Sequence, residues 1–281
     1  MKATHNKAYS TAQVCRFLKI HRDTYYKSRT RMYARESEHK TVLSIIRARR
    51  MILPREGGRK LYQGIKPALI EHNIKMGRDK LFNFLRQQNL LVIPKKSYRK
   101  TTQSNHWFYK HKNLINDFVP TGPNQLWVSD ITYLRLVKGH CYLALITDAY
   151  SRKIVGYDIS DSLELAGCLR ALKRALKALP KQHQLIHHSD RGVQYCSYDY
   201  VKALKKNNIH ISMTEQNHCY ENAMAERVNG ILKGEFYLDS CFMNQKMAKK
   251  AGKNAIRIYN EHRLHLSLNY KTPSQVHKMT A

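Results

Sequence analysis

The fold of this chain is predicted from one stretch, Leu185-Ile186-His187-His188-Ser189-Asp190-Arg191-Gly192. An apolar run that ends in an acidic residue and then turns at Arg-Gly is typical of a buried strand with a carboxylate at its end. Open α/β sheets place their binding sites at such strand ends. Asp190 is therefore a candidate metal ligand or general base.

A second segment, residues 222–233, has the period of an amphipathic helix. Given about 100° between successive residues, its polar residues share one face: Asn222, Glu226, Asn229 and Lys233. The residues of the opposite face are Met224, Val228 and Ile231. We expect the apolar face to pack on the sheet and the helix to present Glu226 to it.

A third acid, Asp130, lies near the middle of residues 126–134, a run of aromatic and β-branched residues that is typical of a strand. A carboxylate inside a buried strand is costly unless it is paired or binds a metal. Hard cations such as Mg²⁺ prefer oxygen ligands, and two of them about 4 Å apart hold the attacking and leaving oxygens of a phosphoryl transfer. Two strand acids and one helix acid therefore predict a site for a pair of divalent cations.

The charge of the chain predicts a polyanionic partner. Among 281 residues there are 50 Lys and Arg but 20 Asp and Glu, which gives a formal net charge of +30 and an isoelectric point near 10. Such an excess favours nucleic acid as the partner. Residues 1–124 hold 27 basic and 7 acidic side chains, so the binding charge is concentrated before the predicted catalytic part.

The sequence favours a cytoplasmic protein without a membrane partner. It has no apolar run of about 18 residues, and its first residues lack the apolar core of a signal peptide. Its six cysteines are scattered and form no Cys-x-x-Cys pair, which argues against a zinc ribbon or a disulfide framework.

Residues 1–35 predict a helix-turn-helix-like segment. Ser10-Thr11 can cap a first helix, and residues 21–27 predict a second short helix. The second helix of such a motif contacts DNA, so Arg22 and Lys27 are candidate DNA-binding residues. A helical pair that merely packs against its neighbours is an equally good interpretation of this pattern.

Residues 36–93 predict a second helical, helix-turn-helix-like domain that binds DNA. A helix from Thr41 to Leu53-Pro54 precedes two amphipathic pieces. Pro67 fits this pattern only in the opening turn of the first piece. The candidate contacts to the DNA backbone are Arg78 and Lys80.

Residues 94–122 predict a basic linker between the helical part and the core. Basic and aromatic residues are interspersed here, which suits phosphate contacts combined with stacking on bases. The candidate DNA-binding residues of the linker are Lys95, Lys96, Arg99 and Lys100. A plain solvated linker is the alternative.

Residues 123–281 predict the catalytic core and a C-terminal helical tail. Three antiparallel strands are followed by helix, strand, helix, strand and helix. The predicted fold class is therefore α/β, with a ribonuclease H-like mixed five-stranded sheet and flanking helices, preceded by an all-α helix-turn-helix region. The site of this fold lies where the first and fourth strands meet the last helix.

Four segments carry a resemblance to a known family: Trp127-Val128-Ser129-Asp130-Ile131-Thr132-Tyr133, Ser151-Arg152-Lys153-Ile154-Val155-Gly156, His187-His188-Ser189-Asp190-Arg191-Gly192-Val193-Gln194-Tyr195 and Asn222-Ala223-Met224-Ala225-Glu226. They resemble the DDE transposases of bacterial insertion sequences, above all the insertion-sequence-three family, and more distantly the retroviral integrases. The 35 residues between Asp190 and Glu226 match the interval of the family's acidic signature, and Lys233 matches its basic residue.

The resemblance implies a DNA transposase with an integrase catalytic core. In this interpretation Asp130, Asp190 and Glu226 hold two Mg²⁺ or Mn²⁺ ions, which support strand nicking by water and strand joining by a DNA 3′-hydroxyl. Lys233 and Asn222 are expected to contact DNA near the scissile phosphate.

The partners implied are the terminal repeats of an insertion sequence, target DNA and further copies of the chain on DNA. The chain looks like the second-frame protein of such an element, so a first-frame partner or fusion and a bacterial, nucleoid-associated location are expected.

Three competing interpretations remain at this point. Singly, each acid is equally well explained as a strand-end cap or a solvated helix residue. A DNA-binding regulator with a degenerate catalytic fold would keep the basic N-terminal half but would not need all three acids. A metal-dependent nuclease without a joining step would use the same carboxylates, and only the resemblance separates it from a transposase.

Overall fold

The computed structural model describes residues 9–93, 107–215 and 222–279. Four helices come first in the chain, and their bounds are α1 Thr11–Phe17, α2 Arg22–Ile52, α3 Gly58–Glu71 and α4 Arg78–Gln87. Ser10 caps α1 as expected, because its hydroxyl accepts from the Gln13 N–H and its own N–H donates to the Gln13 side chain. These helices form the helical region.

Helix α2 corrects the prediction of two separate helices. It is continuous over 31 residues, so the short helix over residues 21–27 and the helix from Thr41 are parts of one element, and the predicted boundary between residues 35 and 36 falls inside it. Residues 28–40 contain no Gly or Pro and no apolar period, so they continue the helix without a buried face. Two exposed ion pairs stabilise the first half of α2, and each joins residues one turn apart, namely Asp23–Lys27 and Glu36–Lys40.

The start of α3 was also predicted wrongly. The helix begins at Gly58, so Pro67 lies well inside it and not in its opening turn. A Cβ on Gly58 would lie 2.7 Å from the Phe82 ring of α4, so α3 and α4 pack closely at the start of α3. The core of the helical region is formed by Val42, Ile46, Leu61, Ile65, Leu69, Leu81, Phe84 and Leu85.

The sheet has the predicted five strands. Their bounds are β1 Leu126–Arg135, β2 His140–Asp148, β3 Ile154–Ser160, β4 Ile186–Ser189 and β5 His210–Met213. The strand order is β3-β2-β1-β4-β5, with β1, β2 and β3 antiparallel and β1, β4 and β5 parallel. The predicted ribonuclease H-like arrangement is confirmed, and it places β1 beside β4 at the centre of the sheet.

Helices cover both faces of this sheet. Their bounds are α5 Leu165–Leu176, α6 Val193–Cys196, α7 Tyr198–Lys206, α8 Ala223–Glu235, α9 Gln245–His262 and α10 Pro273–Met279. One apolar cluster joins the sheet to α5 and α7, and a second joins it to α8 and α9. Among the described residues, no helix is both long enough and apolar enough to cross a bilayer.

Part of the predicted linker packs on the sheet. The Met213 N–H of β5 donates to the Lys112 carbonyl at 3.4 Å, and the Leu114 N–H donates to Ser212 Oγ at 2.9 Å. This part is therefore not a plain solvated linker. The linker candidates for DNA binding lie outside the described residues, namely Lys95, Lys96, Arg99 and Lys100.

Candidate active site

The register of β1 and β4 brings two acids side by side. These strands are parallel and Ser129 pairs with Ser189, so Asp130 is the next residue of β1 and Asp190 is the first residue after β4. Adjacent strands lie about 4.8 Å apart, and residues at the same level point to the same face. The Asp190 carboxylate also accepts the Gly192 N–H at 3.0 Å, which fixes the turn after β4.

Helix α8 crosses β1 at the same level. Asn222 donates its side-chain amide to the Ser129 carbonyl at 3.2 Å, and Asn229 donates to Asp130 Oδ2 at 2.7 Å. Glu226 lies between these two asparagines and near their face of the helix. The three predicted acids are therefore brought into one neighbourhood by β1, β4 and α8.

This orientation corrects part of the helix prediction. Asn222 and Asn229 are 4% and 6% exposed and contact the sheet, so the polar face of α8 packs there together with its apolar residues. Glu226 itself is exposed. The DNA contact predicted for Asn222 does not fit its burial, because its amide is held against β1.

Asp130 has an unusual electrostatic environment. Burial, the neighbouring Asp190 and, more weakly, Glu226 raise its pKa to about 7, although hydrogen bonds from Asn229 and the Ile131 N–H oppose this. Like charges close together in a region of low dielectric favour protonation unless a cation compensates them. A cation bound among these acids would therefore favour the ionised form of Asp130.

Buried polar side chains contact β1, β4 and β5 on both faces of the sheet. His187 Nε2 lies 2.7 Å from Ser129 Oγ and 3.0 Å from the Tyr200 hydroxyl, while His188 Nδ1 lies 2.9 Å from Ser212 Oγ. Burial, and for His187 also the neighbouring His188, lowers the pKa values to about 3 and about 4, so both imidazoles are neutral. Both histidines are therefore buried core residues of the sheet.

The residues present fit hard divalent cations by chemistry. All three acids offer oxygen donors, which Mg²⁺ and Mn²⁺ prefer, and burial and the neighbouring acids raise the pKa of Asp130, an effect that a bound cation would oppose. The buried Oδ1 of Asn229 beside it has no hydrogen-bond partner. Within the described residues, no three His, Cys, Asp or Glu side chains already hold their ligand atoms in a metal-binding arrangement.

The other predicted DNA-binding residues that the structure describes lie in two places, on α8 and in the helical region. Lys233 is half-buried on α8, with Nζ 4.5 Å from the centre of the Tyr133 ring. The exposed candidates of the helical region are Arg22, Lys27, Arg78 and Lys80. Two of them make surface ion pairs, Lys27 with Asp23 and Arg78 with Asp79, and exposed pairs of this kind cost little to break.

Sequence reasoning missed the ion pairs that join the helical region to the core. Lys60 of α3 is paired with Glu235 of α8, and Arg263 at the end of α9 is paired with the same carboxylate. A basic residue on an otherwise apolar face of α3 was the one signal available, and it does not identify the partner.

The fold and site define a class of protein: a ribonuclease H-like core with acidic residues on β1, directly after β4 and on α8. The integrase core domain family matches residues 120–219, and a second integrase core domain family matches residues 207–273.

Two relatives extend the match over the helical region. The transposase InsF of insertion sequence IS3A from Escherichia coli strain K12 is 30% identical over 277 residues, which cover 96% of this chain and 95% of the relative. The 31 kDa protein of insertion element IS600 from Shigella sonnei is 38% identical over 225 residues, which cover 77% and 82%. The chain belongs to the IS3-family transposases with an integrase core.

The chain also matches a solved structure. The catalytic core domain of HTLV-2 integrase in complex with magnesium is matched with a TM-score of 0.46 at 21% identity, over 56% of this chain and 98% of that one.

Proposed function

We propose that this transposase catalyses metal-dependent phosphoryl transfer at the ends of an insertion sequence, first nicking a strand with water and then joining a DNA 3′-hydroxyl to target DNA. The observation that carries the proposal is the pairing of β1 with β4, which brings Asp130 of β1 beside Asp190 directly after β4, below the helix that holds Glu226. The family membership supports the choice of DNA as substrate.

Each residue of the site has a role in this proposal. Asp130, Asp190 and Glu226 hold two Mg²⁺ or Mn²⁺ ions through carboxylate oxygens. The chemistry that such a pair supplies when bound is activation of water or a 3′-hydroxyl and stabilisation of the leaving 3′-oxygen. Asn229 orients the Asp130 carboxylate through its hydrogen bond to Oδ2, and Asn222 holds α8 on β1.

The basic residues bind and orient DNA. Lys233 lies on α8 on the same helix face as Glu226, and its position suits a phosphate next to the reacting one. The helical region and the linker supply further phosphate contacts, as their charge implies. Terminal repeats, target DNA and further copies of the chain assembled on DNA are the proposed partners, and a first-frame protein stays a prediction from the resemblance.

The test uses a labelled duplex that carries the ends of the element, incubated with full-length protein and Mg²⁺. Asp130→Asn, Asp190→Asn and Glu226→Gln should each reduce nicking and joining on the order of 10³-fold or more, because each removes a charged oxygen ligand. DNA affinity should stay within about twofold, since the removed groups are acids. Gel shifts and product quantification measure both quantities.

Asp199→Asn is the matched control, because it removes the same charge from an exposed position on α7 of the same core. It should retain full activity. Retained cleavage in any of the three site variants would remove that acid from the site, and nicking without joining in the unaltered protein would identify a nuclease.

A further inference from the structure

The last residue of α8, Glu235, is held by two cations. A carboxylate at a helix C-terminus is unfavourable, because the carbonyl groups there carry partial negative charge. Arg263 compensates it with a bidentate pair, Nε to Oε2 at 2.8 Å and Nη2 to Oε1 at 2.7 Å, and Lys60 Nζ lies 2.7 Å from Oε1. One carboxylate thus joins three helices.

The two cations come from different parts of the chain. Lys60 lies in the first turn of α3 in the helical region, and Arg263 directly follows α9 in the core. Their side chains are 9% and 5% exposed, so solvent screens neither charge well. Burial and the nearby Arg263 lower the pKa of Lys60, so the two cations repel each other and Glu235 is what holds them together.

The position of Glu235 on α8 gives this pairing a consequence for the site. Glu235 lies nine residues after Glu226, which is about 13 Å along the helix axis and about half a turn around it. The hydrogen bonds of Asn222 and Asn229 to β1 fix the other end of α8. Rotation or sliding of α8, and with it movement of Glu226, is therefore opposed at both ends of the helix.

We propose that Lys60 and Glu235 are positioning residues, through which the helical region holds α8 and so places Glu226 opposite Asp130 and Asp190. This inference rests on the catalytic role proposed above for Glu226. It also changes the interpretation of the charge distribution, which had predicted separate modules for binding and chemistry. The helical region contributes to the geometry of the reaction as well as to DNA binding.

A second buried ion pair provides a matched control. Glu56 is fully buried beside α3 and pairs with Arg49 of α2 through two hydrogen bonds of 2.9 and 3.0 Å. Glu56→Gln removes a buried carboxylate of the helical region and leaves the Lys60–Glu235–Arg263 cluster intact, although Arg49, its partner, also lies 3.5 Å from the His262 carbonyl at the end of α9. Lys60→Met removes the cation from α8 and keeps the chain length of the side chain, whereas Lys60→Arg keeps the cation.

The experiment measures two quantities on the full-length protein. Hydrogen exchange of the α8 amides without metal reports the stability of the helix itself. The rate of strand joining at saturating end DNA, measured over a range of Mg²⁺ concentrations, reports the site. A change in the helical fold alone would alter DNA affinity and leave the Mg²⁺ dependence unaltered.

Lys60→Met should speed exchange in α8 about tenfold, reduce the joining rate about tenfold and raise the Mg²⁺ concentration at half-maximal rate severalfold. Its affinity for end DNA should stay within about twofold. Lys60→Arg should restore most of the rate, and Glu56→Gln should leave α8 exchange and the Mg²⁺ dependence at the original values. Should Lys60→Met fail to fold, Lys60→Gln, which keeps an amide donor near Glu235, takes its place.

Unchanged α8 exchange and joining in the folded Lys60 variant would overturn the inference, as would equal effects from Glu56→Gln. The failure of the proposed function is a different result: the unaltered protein would then lack metal-dependent joining altogether. The exchange measurement, made without metal or DNA, would still decide whether Lys60 fixes α8.

Discussion

Asp130, which contacts α8, and Glu235, which lies on it, have opposite electrostatic environments. Both are shielded from solvent. Burial and neighbouring acids raise the pKa of Asp130 to about 7. Burial also acts to raise the pKa of Glu235, but Arg263 and Lys60 outweigh it and hold that pKa below its usual value.

The difference separates a structural acid from a functional one. Glu235 has its positive charge supplied within the chain, so it stabilises the fold as it stands. Asp130 accepts hydrogen bonds from two neutral groups, the Asn229 amide and the Ile131 N–H, and it shares its surroundings with two acids. A group left in this state destabilises the folded protein until a cation arrives from outside.

The largest effect is expected from removing the charge of Glu235, which pairs with Lys60 and Arg263. Glu235→Gln leaves Lys60 and Arg263 buried beside each other without a counter-charge, so it should lower the free energy of unfolding by about 3 kcal/mol. Chemical denaturation monitored by circular dichroism measures this change. An unchanged midpoint would show that solvent, not Glu235, compensates the two cations.

Asp130→Asn should have the opposite sign. Without metal it removes a buried charge and its repulsion, and the amide can donate to the buried Oδ1 of Asn229, which has no hydrogen-bond partner. We expect the free energy of unfolding to rise by about 1–2 kcal/mol in metal-free buffer. Saturating Mg²⁺ should stabilise the unaltered protein but not this variant, and equal stabilisation of both would contradict the assignment.

The two acids should also differ in the pH dependence of stability. Between its usual 3.8 and about 7, Asp130 keeps a proton in the folded state that the unfolded chain has released, so stability falls as pH rises through this window. The pKa of Glu235 is lowered, so its contribution is present above its usual value of 4.5 and is lost as pH falls through its folded pKa.

Denaturation of metal-free protein from about pH 4 to 7 measures both effects. The advantage of Asp130→Asn over the unaltered protein should grow toward pH 7, whereas the deficit of Glu235→Gln should shrink toward pH 4. Comparing each variant with the unaltered protein cancels the opposing effect of His187 and His188, whose lowered pKa values favour folding at higher pH. If the stability of both variants changed with pH in parallel with that of the unaltered protein, Asp130 and Glu235 would not have opposite pKa shifts.

The smallest expected effect concerns Lys233, which lies on α8 between Glu226 and Glu235. Burial lowers its pKa, and attraction to Asp130 partly opposes this. Lys233→Met should change stability by less than about 1 kcal/mol and should reduce the salt slope of DNA binding by about one. Binding isotherms between about 50 and 200 mM salt measure the slope, and an unchanged slope would remove Lys233 from the DNA surface.

The sequence predicted the sheet well because each strand carries its own signal. The runs around Asp130 and before Asp190 combine β-branched or apolar residues with a turn. They form β1 and β4, which are neighbouring strands inside the sheet. Glu226 was predicted from the helical period of its segment, and its interval from Asp190 was part of the family resemblance. Strand and helix periodicity are local properties, so a single sequence shows them directly.

Contacts between distant segments could not be predicted in this way. Nothing local to Lys60 indicates that its partner lies 175 positions further along the chain. Asn229 was placed on the correct helix face, yet its bond to Asp130 depends on how α8 crosses β1. The length of α2 was missed for another reason: its middle part is polar on every side and therefore lacks the period by which a packed helix is found.

That long helix also sets a spacing. From Arg22 at its start to His39, whose ring lies 5.1 Å from that of Phe84 in α4, the axis extends about 26 Å. One turn of B-form duplex rises about 34 Å over roughly 10 base pairs. A single duplex that contacted this segment of α2 near both Arg22 and His39 would be bound at two points most of a DNA turn apart. Inserting half a turn of DNA between these two points would therefore move one contact to the opposite side of the double helix.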